Sequence, residues 1–461
     1  MLTPPFLPHV IESARLTPIC HEADLCVIGG SCTGLFAAVH AARLGLSVAL
    51  IEQQSLLGGM AVAAQVNEWH STWDVSGTRR VIGGLTLEVV ERLRRRGALE
   101  EIRPIHRGEF RFNSAELAVE LDELAHEHHI RVFYSARCVA AVSHEPGRVD
   151  AAIVEDRSGR RAIRARMFID ASGDGSLLRA SNLPLRKPDS IQPVNLQAIV
   201  HGLANLNTAM HDEAFLSQLA ANGYPSANAN PWPFSVPGAP SLRNLFGARL
   251  HGLDAADADD HGRALVKGRR LHRLYLDTLR QHLGDDAGPT PLVVAWAHAL
   301  GVRQTRHANC LHRLTGAALL SGIAFDDAIA QGTYPIDIHT PDGVVLRYLD
   351  GREEIVARDA GSRWGRWRDD STPSPAFYTI PYRCLVPQGA RNLLVAGRLL
   401  DADTEAFGGV RVMVNMNQTG EAAGVAAALA FHQNLDTAEV DPAQIRAKLN
   451  AGGALLLPSR P

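Results

Sequence analysis

The alternation of apolar and polar positions predicts, near the start of the chain, a strand, a turn, a helix and a second strand in quick succession. Asp24-Leu25-Cys26-Val27-Ile28 is a short apolar run of the kind a buried strand needs, and Gly29-Gly30-Ser31-Cys32-Thr33-Gly34 ends it at once. The following LFAAVHAARLG reads as a helix stopped at Gly45, and Ser47-Val48-Ala49-Leu50-Ile51 as a second buried strand ending in Glu52. This order is that of a βαβ unit in a parallel sheet. A helix is predicted from about Gly84, LTLEVVERLRRRG, with three arginines at its negative end and Gly97 as its stop. Asn113-Ser114-Ala115-Glu116 has the form of a capping box opening a helix whose Leu117, Leu121 and Leu124 share one face.

The runs IRVFYSARCVAAV, VDAAIVED and RRAIRARMFID, separated by Pro146-Gly147 and Ser158-Gly159, predict a small antiparallel meander that returns to the parallel sheet. From about 185 to 375 the text changes to a Pro/Asn-rich stretch, an acidic loop around Asp254 to Asp260 and mixed elements, which suggests a second, substrate-facing domain. A buried strand then recurs at Asn392 to Gly397, followed by the small-residue helix GEAAGVAAALAFH. The expected fold class is α/β: a discontinuous Rossmann-like domain, parallel sheet plus antiparallel meander, interrupted by an inserted α+β substrate or cap domain. The expected boundaries are 20–184 and 379–435 for the two parts of the nucleotide-binding domain, 185–378 for the insert and 436–461 for a C-terminal helix and tail.

The 461 residues are 46% apolar and 21% charged, which fits a globular protein and neither a disordered chain nor a membrane bundle. A net charge of −3 argues against nucleic acid as a partner. Six cysteines without a C-x-x-C pair indicate neither a disulfide framework nor a metal site, and His126, His128 and His129 lack a second ligand type at useful spacing, so no metal is expected. The N-terminus lacks a basic start followed by a long apolar run, and no stretch approaches 18 apolar residues. A cytoplasmic location and no membrane partner are the resulting expectations.

A glycine-rich turn between strand and helix binds pyrophosphate through backbone N–H groups and the positive helix end. The pattern G-x-G-x-x-G falls on Gly29, Ser31 and Gly34, with serine in place of the middle glycine, and Glu52 follows Gly34 by 18 residues at a strand end, where a carboxylate can accept from ribose hydroxyls.

Beyond the turn, further motifs are Leu57-Gly58-Gly59-Met60, Phe168 to Gly175, Gly301 to Arg306 and Phe325 to Ile329 with Tyr334-Pro335-Ile336-Asp337-Ile338-His339. Others are Ile380 to Arg383, Asn392 to Arg398, Gly409 to Met413 and Gly420-Glu421-Ala422-Ala423-Gly424. On these motifs nearly the whole chain resembles the FAD-dependent oxidoreductase family of the two-dinucleotide-binding-domain flavoproteins, with a glutathione-reductase-like or fumarate-reductase-like FAD fold. The resemblance implies FAD as cofactor. It implies that Gly29, Gly30, Ser31, Thr33, Gly34, Gln53, Gly58, Gly59 and Met60 contact it, that Glu52 holds the adenosine ribose and that backbone at Val139 reaches the adenine. Ala171, Ser172 and Gly173 would pass close to the dinucleotide, and Gly397 and Arg398 would lie near the ribityl and pyrophosphate. Gly409, Arg411, Val412 and Met413 would border the flavin ring, where the following helix aims its positive end. Val414-Asn415-Met416-Asn417-Gln418-Thr419 departs from the small or polar run usual before G-x-A-A-G.

Candidates for chemistry are His70, between two tryptophans in the 60–80 loop, as a general base or covalent flavin link, and His339 after the Tyr-Pro turn as a base. Arg303 and Arg306, three apart and neighbours if helical, are candidates to clamp an anionic substrate group. The expected activity is oxidation of a small organic substrate at a C–OH, C–N or C–C bond by hydride transfer to flavin N5. The alternatives are an FAD-dependent monooxygenase, or a flavin-containing RNA-modifying or scaffold subunit, the latter disfavoured by the acidic balance. A second nucleotide fingerprint, as NAD(P)H-dependent reductases carry, is not seen.

Overall fold

The computed structural model describes residues 12–102, 109–204, 206–225, 231–284, 290–357 and 361–456. Its central strand, Ile19–Ile28, runs parallel to Val48–Ile51 on one side and to Gly159–Asp170 on the other. Arg131–Phe133 and Leu393–Val395 extend this sheet at its two sides, again parallel. Val48–Ile51 and Leu393–Val395 are short, wholly apolar and buried throughout, as burial on both faces demands. Gly159–Asp170 is 12 residues long and divides its pairing: its last three residues meet Leu393–Val395, while its first half pairs antiparallel with Ala151–Asp156, which in turn pairs with Arg137–Val142. The run IRVFYSARCVAAV is therefore not one meander strand. A turn with Ser135 at φ +50° splits it into a parallel strand and the first meander strand.

Helix Cys32–Arg43 leads from the first strand to the second and packs on helix Met413–Gln433, which is buried on nearly every side. Close approach explains the small residues of the latter. A Cβ at Gly420 would lie 2.0 Å from the Thr33 carbonyl oxygen, and one at Gly424 2.1 Å from that of Ala37. Glu421, between these glycines, meets His40 Nε2 at 2.8 Å and accepts from Leu85 N–H at 3.2 Å, so it caps helix Gly84–Arg95, whose own N-cap is glycine. The capping box at Asn113 is half formed. Its side chain accepts from Ala115 and Glu116 N–H, but its own N–H donates to Ala98, and the Glu116 carboxylate is drawn to Arg96.

The 185–378 stretch contributes to two cores. Strands Trp232–Ser235, Leu242–Phe246, Gln197–His201 and Leu292–Trp296 form an antiparallel sheet in that order. Helix Ala258–Leu283 covers one face, packing Tyr275, Leu276 and Leu279 onto Ala198, Val200 and Leu245. Further on, Ala328–Gly332 pairs with Tyr378–Pro381, and Ile336–Thr340 opens a four-stranded meander. Leu314, Ile329, Ile336 and Tyr378 join the same core as Leu25 and Val27, which anchors this second half directly on the nucleotide-binding half. Among the described residues no helix is long and apolar enough to cross a membrane.

Candidate active site

A cavity of about 450 Å³ opens at the carboxyl ends of the parallel strands, where Ile28, Ile51, Ala171 and Gly397 reach it, and extends to the free face of the four-stranded sheet. At its first end the chain conformation dictates residue type. Gly29 has φ +102°, and a Cβ there would stand 2.5 Å from the Ala171 carbonyl oxygen; a Cβ at Gly34 would stand 1.9 Å from that of Gly29. Ser31 is different. Its φ of −62° and ψ of 170° suit any residue, and it serves as N-cap of helix Cys32–Arg43, accepting from Gly34 N–H at 3.4 Å. Serine therefore fits the place where the fingerprint has its middle glycine.

Glu52 is held before any ribose arrives. Its two carboxylate oxygens each accept a backbone N–H, from Gly30 and from Gln54, both at 2.6 Å. Burial raises its pKa while those N–H groups pull it back, and each oxygen keeps a lone pair for a further donor. Asp170, fully buried, accepts from Ser172 N–H and Oγ and from Leu177 and Leu178 N–H, which shapes the Ala171 to Gly173 loop. Arg398 Nη2 lies 3.4 Å from Asp174 Oδ1, and its Nη1 has no hydrogen-bond partner among the described residues. A Cβ at Gly173 would strike this guanidinium at 2.4 Å. Helix Met413–Gln433 starts at the cavity with Val412 as N-cap and no side-chain cap. A glycine cradle, a preset acceptor and two helix starts facing one cavity fit a dinucleotide with a flavin ring.

Gly29, Ser31, Thr33, Glu52, Gln53, Gly58, Gly59, Met60, Ala171, Ser172, Gly173, Gly397, Arg398, Arg411, Val412 and Met413 all line this cavity, and His70, Arg303 and His339 join them. Five expected contacts do not. Gly30 and Gly34 act through their N–H groups on Glu52 and Ser31. A bulge between Cys138 and Ala140 turns Val139 outward, 38% exposed, and Ala136, Arg137 and Cys138 line the cavity instead. Gly409 sits inside helix Thr404–Val410 against Leu319, its carbonyl accepting from Tyr378. Arg306 diverges from Arg303 because 303–306 is not helical, so the neighbourhood that a three-residue spacing gives on a helix does not form. Its Nη1 approaches the Asp174 carbonyl, at 3.5 Å. The Cys32 thiol is buried, which pushes its pKa up to about 12 and leaves it a packing group.

The second end of the cavity holds a buried charged cluster. Asp337 Oδ2 accepts from Tyr334 Oη and from Arg411 Nη2, both at 2.6 Å, and His339 Nε2 lies 3.2 Å from Asp337 Oδ1. Burial raises the Asp337 pKa, but Arg411 and His339 hold it well below the usual carboxylate range. Arg303 donates to the Pro193 carbonyl at 2.8 Å; burial, then Arg411 and Arg249, push its pKa down to about 9. Burial also lowers His339, Asp337 pulls it back up, and Arg303 and Arg249 lower it again, to about 3. His339 Nδ1 is buried with no hydrogen-bond partner among the described residues. His70 contacts Ser71 Oγ through Nδ1 at 3.0 Å and tilts against Tyr334, ring centroids 4.9 Å apart.

Sequence reasoning missed Arg249, Asp337, Tyr334 and Gln197 as parts of this site. Asp337 had a signal: on a strand, positions 337 and 339 point to one face, so a base candidate at 339 implicates the acid two residues before it. Arg249 had none, since a lone arginine after a strand is ordinary.

Solved structures of similar fold include a geranylgeranyl bacteriochlorophyll reductase-like protein from Thermoplasma acidophilum, 12% identical over 94% of this chain and 83% of that one, with a TM-score of 0.43. They also include the p-nitrophenol 4-monooxygenase PnpA from Pseudomonas putida DLL-E4, 10% identical over 93% and 84%, TM-score 0.43. A third is the myxobacterial chondrochloren halogenase CndH, 13% identical over 93% and 78%, TM-score 0.43. No curated protein matches the chain. The model of the FAD dependent oxidoreductase family matches residues 24–449, and the chain belongs to that family, with FAD as its cofactor.

Proposed function

We propose that this FAD-dependent oxidoreductase oxidises a small organic substrate at a C–OH, C–N or C–C bond, with an anionic group of the substrate held by Arg303 and Arg249 and a proton taken by His339. The observation that carries this reading is Arg303, which lines the cavity beside Asp337, Arg411 and His339, donates to the Pro193 carbonyl and has no carboxylate at ion-pair distance among the described residues. A cation drawn out of water in a cavity wall is expensive unless a ligand of the opposite charge completes it. FAD, when bound, supplies the two-electron acceptor for the hydride leaving the substrate carbon.

The remaining work falls to the chain. Arg303 is fixed by Pro193 and orients the anion. Asp337 Oδ1 stands 3.2 Å from His339 Nε2, and its negative charge favours the tautomer protonated there, which keeps the Nδ1 lone pair for the substrate O–H, N–H or second C–H proton. With the anion absent, burial first and then Arg303 and Arg249 depress the basicity of this imidazole. With it bound, their charge is compensated and the base strengthens, so proton abstraction is coupled to occupancy. The C–H bond gives up its electron pair as hydride, the proton passes to His339, and the substrate gains a C=O, C=N or C=C bond. His70 is more exposed than His339 and lines the cavity wall, with Nδ1 3.0 Å from Ser71 Oγ and its ring against Tyr334.

Anaerobic stopped-flow reduction tests the reading. Small organic acids bearing a hydroxyl or amino group should bleach the flavin, Arg303→Met should slow that step at least tenfold with the resting flavin spectrum intact, and NADPH alone should not bleach it. Rapid bleaching by NADPH with no effect of Arg303→Met would favour the monooxygenase.

A further inference from the structure

The face of the four-stranded sheet that helix Ala258–Leu283 leaves free carries a row of three side chains along the cavity. Trp232 is the cross-strand partner of Phe246 and Phe246 that of Gln197, and directly opposed residues of antiparallel strands point to one face. All three line the cavity, whereas Leu245 and Ala198, the next pair along, pack on the helix. The Trp232 and Phe246 rings are nearly parallel, 14° between planes, and Phe234 tilts onto Phe246 with centroids 4.6 Å apart. Arg111 lies over Phe234 at 4.3 Å and Arg249 over Trp232 at 5.4 Å, which fixes the two outer rings, and Phe246 stands between them and the amide. The row therefore changes from aromatic surface to primary amide within one strand spacing, about 4.8 Å.

The amide end of the row is incomplete. Gln197 is fully buried, and neither its Oε1 nor its Nε2 has a hydrogen-bond partner among the described residues. Native interiors rarely leave both ends of an amide unpaired. The residue beside it leaves it uncovered. Gly301 also lines the cavity, and a Cβ there would press on this side chain, 3.1 Å from Gln197 Nε2 and 2.3 Å from Asn195 Oδ1.

From this row we infer that the substrate carries a carboxamide or ring lactam on an aromatic or heteroaromatic ring, the ring against Phe246 and Trp232 and its C=O and N–H edge paired with the Gln197 amide. This names a substrate class for the oxidation proposed above; it rests on that reading's use of this cavity and not on the anion at Arg303. An amide offers a donor and an acceptor side by side in one plane, so its complement offers an acceptor and a donor in the same way. A carboxylate only accepts and would satisfy Nε2 while facing Oε1 with a second acceptor. A ketone leaves Oε1 unpaired, and an aliphatic amide leaves the aromatic surface uncovered.

The test measures dissociation constants of benzamide, acetophenone and acetamide for the FAD-loaded enzyme, by calorimetry and by perturbation of the flavin absorption. Acetophenone has the shape of benzamide with a methyl group in place of NH2, and acetamide keeps the amide without the ring. Benzamide should bind at least tenfold tighter than either. Gln197→Leu should weaken benzamide at least tenfold and acetophenone less than twofold, and Gln197→Met should act in the same direction should Gln197→Leu fail to fold. Equal affinity for benzamide and acetophenone would overturn the paired edge, and acetamide binding as tightly as benzamide would overturn the ring. Equal loss of benzamide and acetophenone in the variants would make Gln197 a packing residue, and loss of FAD from both folded variants would give the amide to the cofactor; either overturns the inference. Benzamide carries no charge, so its failure to bind, with flavin reduction by an organic acid still slowed in Arg303→Met, would overturn this inference and leave the anion reading standing.

Discussion

Asp337 Oδ2 and Arg411 Nη2 meet at 2.6 Å across 74 residues of chain, joining strand Ile336–Thr340 to the turn that leads into helix Met413–Gln433. Both side chains are buried, 6% and 11% exposed, and the same carboxylate oxygen also accepts from Tyr334. Removing one partner of such a pair leaves the other charge uncompensated, at a cost of about 3–5 kcal/mol. Asp337→Asn, which keeps the shape and removes the charge, should therefore lower the unfolding free energy of the holoenzyme by that amount, read as a lower urea midpoint. It should also slow substrate-dependent flavin reduction, because His339 loses the negative charge 3.2 Å from its Nε2. A variant as stable as the wild type would show that the pair carries no structural weight.

The carboxylate of Glu52 is positioned by Gly30 and Gln54 N–H whether or not a ribose is bound. An acceptor already in place loses little freedom on binding, so its removal should appear almost wholly in affinity. Glu52→Ala should weaken FAD retention by about 1–3 kcal/mol, the scale of a lost charge-assisted hydrogen bond. Equilibrium dialysis against FAD reads this directly, and unchanged affinity would remove Glu52 from the cofactor site.

The nucleotide half was legible in the sequence because backbone geometry dictates residue type there. Gly29 and Gly34 stand where a Cβ would strike a carbonyl oxygen, and any chain that makes this turn must show those letters. The substrate half carries no such constraint. Gln197, Trp232, Phe246 and Arg249 come from separate strands and their flanks and meet only through sheet pairing, which no local pattern announces. Spacing misled at Arg303 and Arg306, where a helical period was applied to a segment that is not helical. Asp337 and His339 lay between these cases, with the alternation of a strand in the text but their arginine partners hidden.

Ser31 and Gly59 press closely together: a Cβ on Gly59, whose φ is +52°, would lie 2.6 Å from Ser31 Cβ. Space beyond the Ser31 hydroxyl is therefore taken up by the backbone of 58–59 and by the cavity itself. Ser31→Gly should retain FAD, with the loss of an N-cap amounting to a few tenths of a kcal/mol. Ser31→Leu should purify largely without flavin. Full FAD occupancy in Ser31→Leu, measured from the ratio of visible to ultraviolet absorbance, would place the phosphates elsewhere.

His307 sets a pH dependence of stability. It is fully buried, its Nδ1 donates to the Leu400 carbonyl at 3.0 Å and its Nε2 accepts from Gln304 Nε2 at 3.0 Å, so both nitrogens are committed in the neutral ring. Burial, then Arg186, lowers its pKa from 6.5 to about 4. Above pH 6.5 neither state of the chain protonates this ring. As pH falls from about 6.5 through about 4 the unfolded chain takes up a proton that the folded chain refuses, so stability is lost across that window, on the order of 3 kcal/mol in all. Urea unfolding of the wild type and of His307→Gln at pH 7 and pH 4.5 should show a steeper fall in the wild type. Parallel falls would assign the acid sensitivity to other groups.

Gln197 separates stability from binding. Its amide is fully buried and both polar atoms lack a partner among the described residues, a burden that an apolar side chain of similar shape would remove. Gln197→Leu should therefore leave the unliganded holoenzyme as stable as the wild type or more so, by about 1 kcal/mol, since an unsatisfied buried polar group costs roughly 1–3 kcal/mol and the swap leaves the neighbouring Phe246 and Gly301 in place. Substrate should respond in the opposite sense, with KM rising as the ligand loses the partner it would have found there. Thermal unfolding and steady-state kinetics on the same preparation give both readings. A Gln197→Leu enzyme that is destabilised while its KM is unchanged would mean that the amide serves the fold, through water or a shifted rotamer, and that the ligand does not reach this strand.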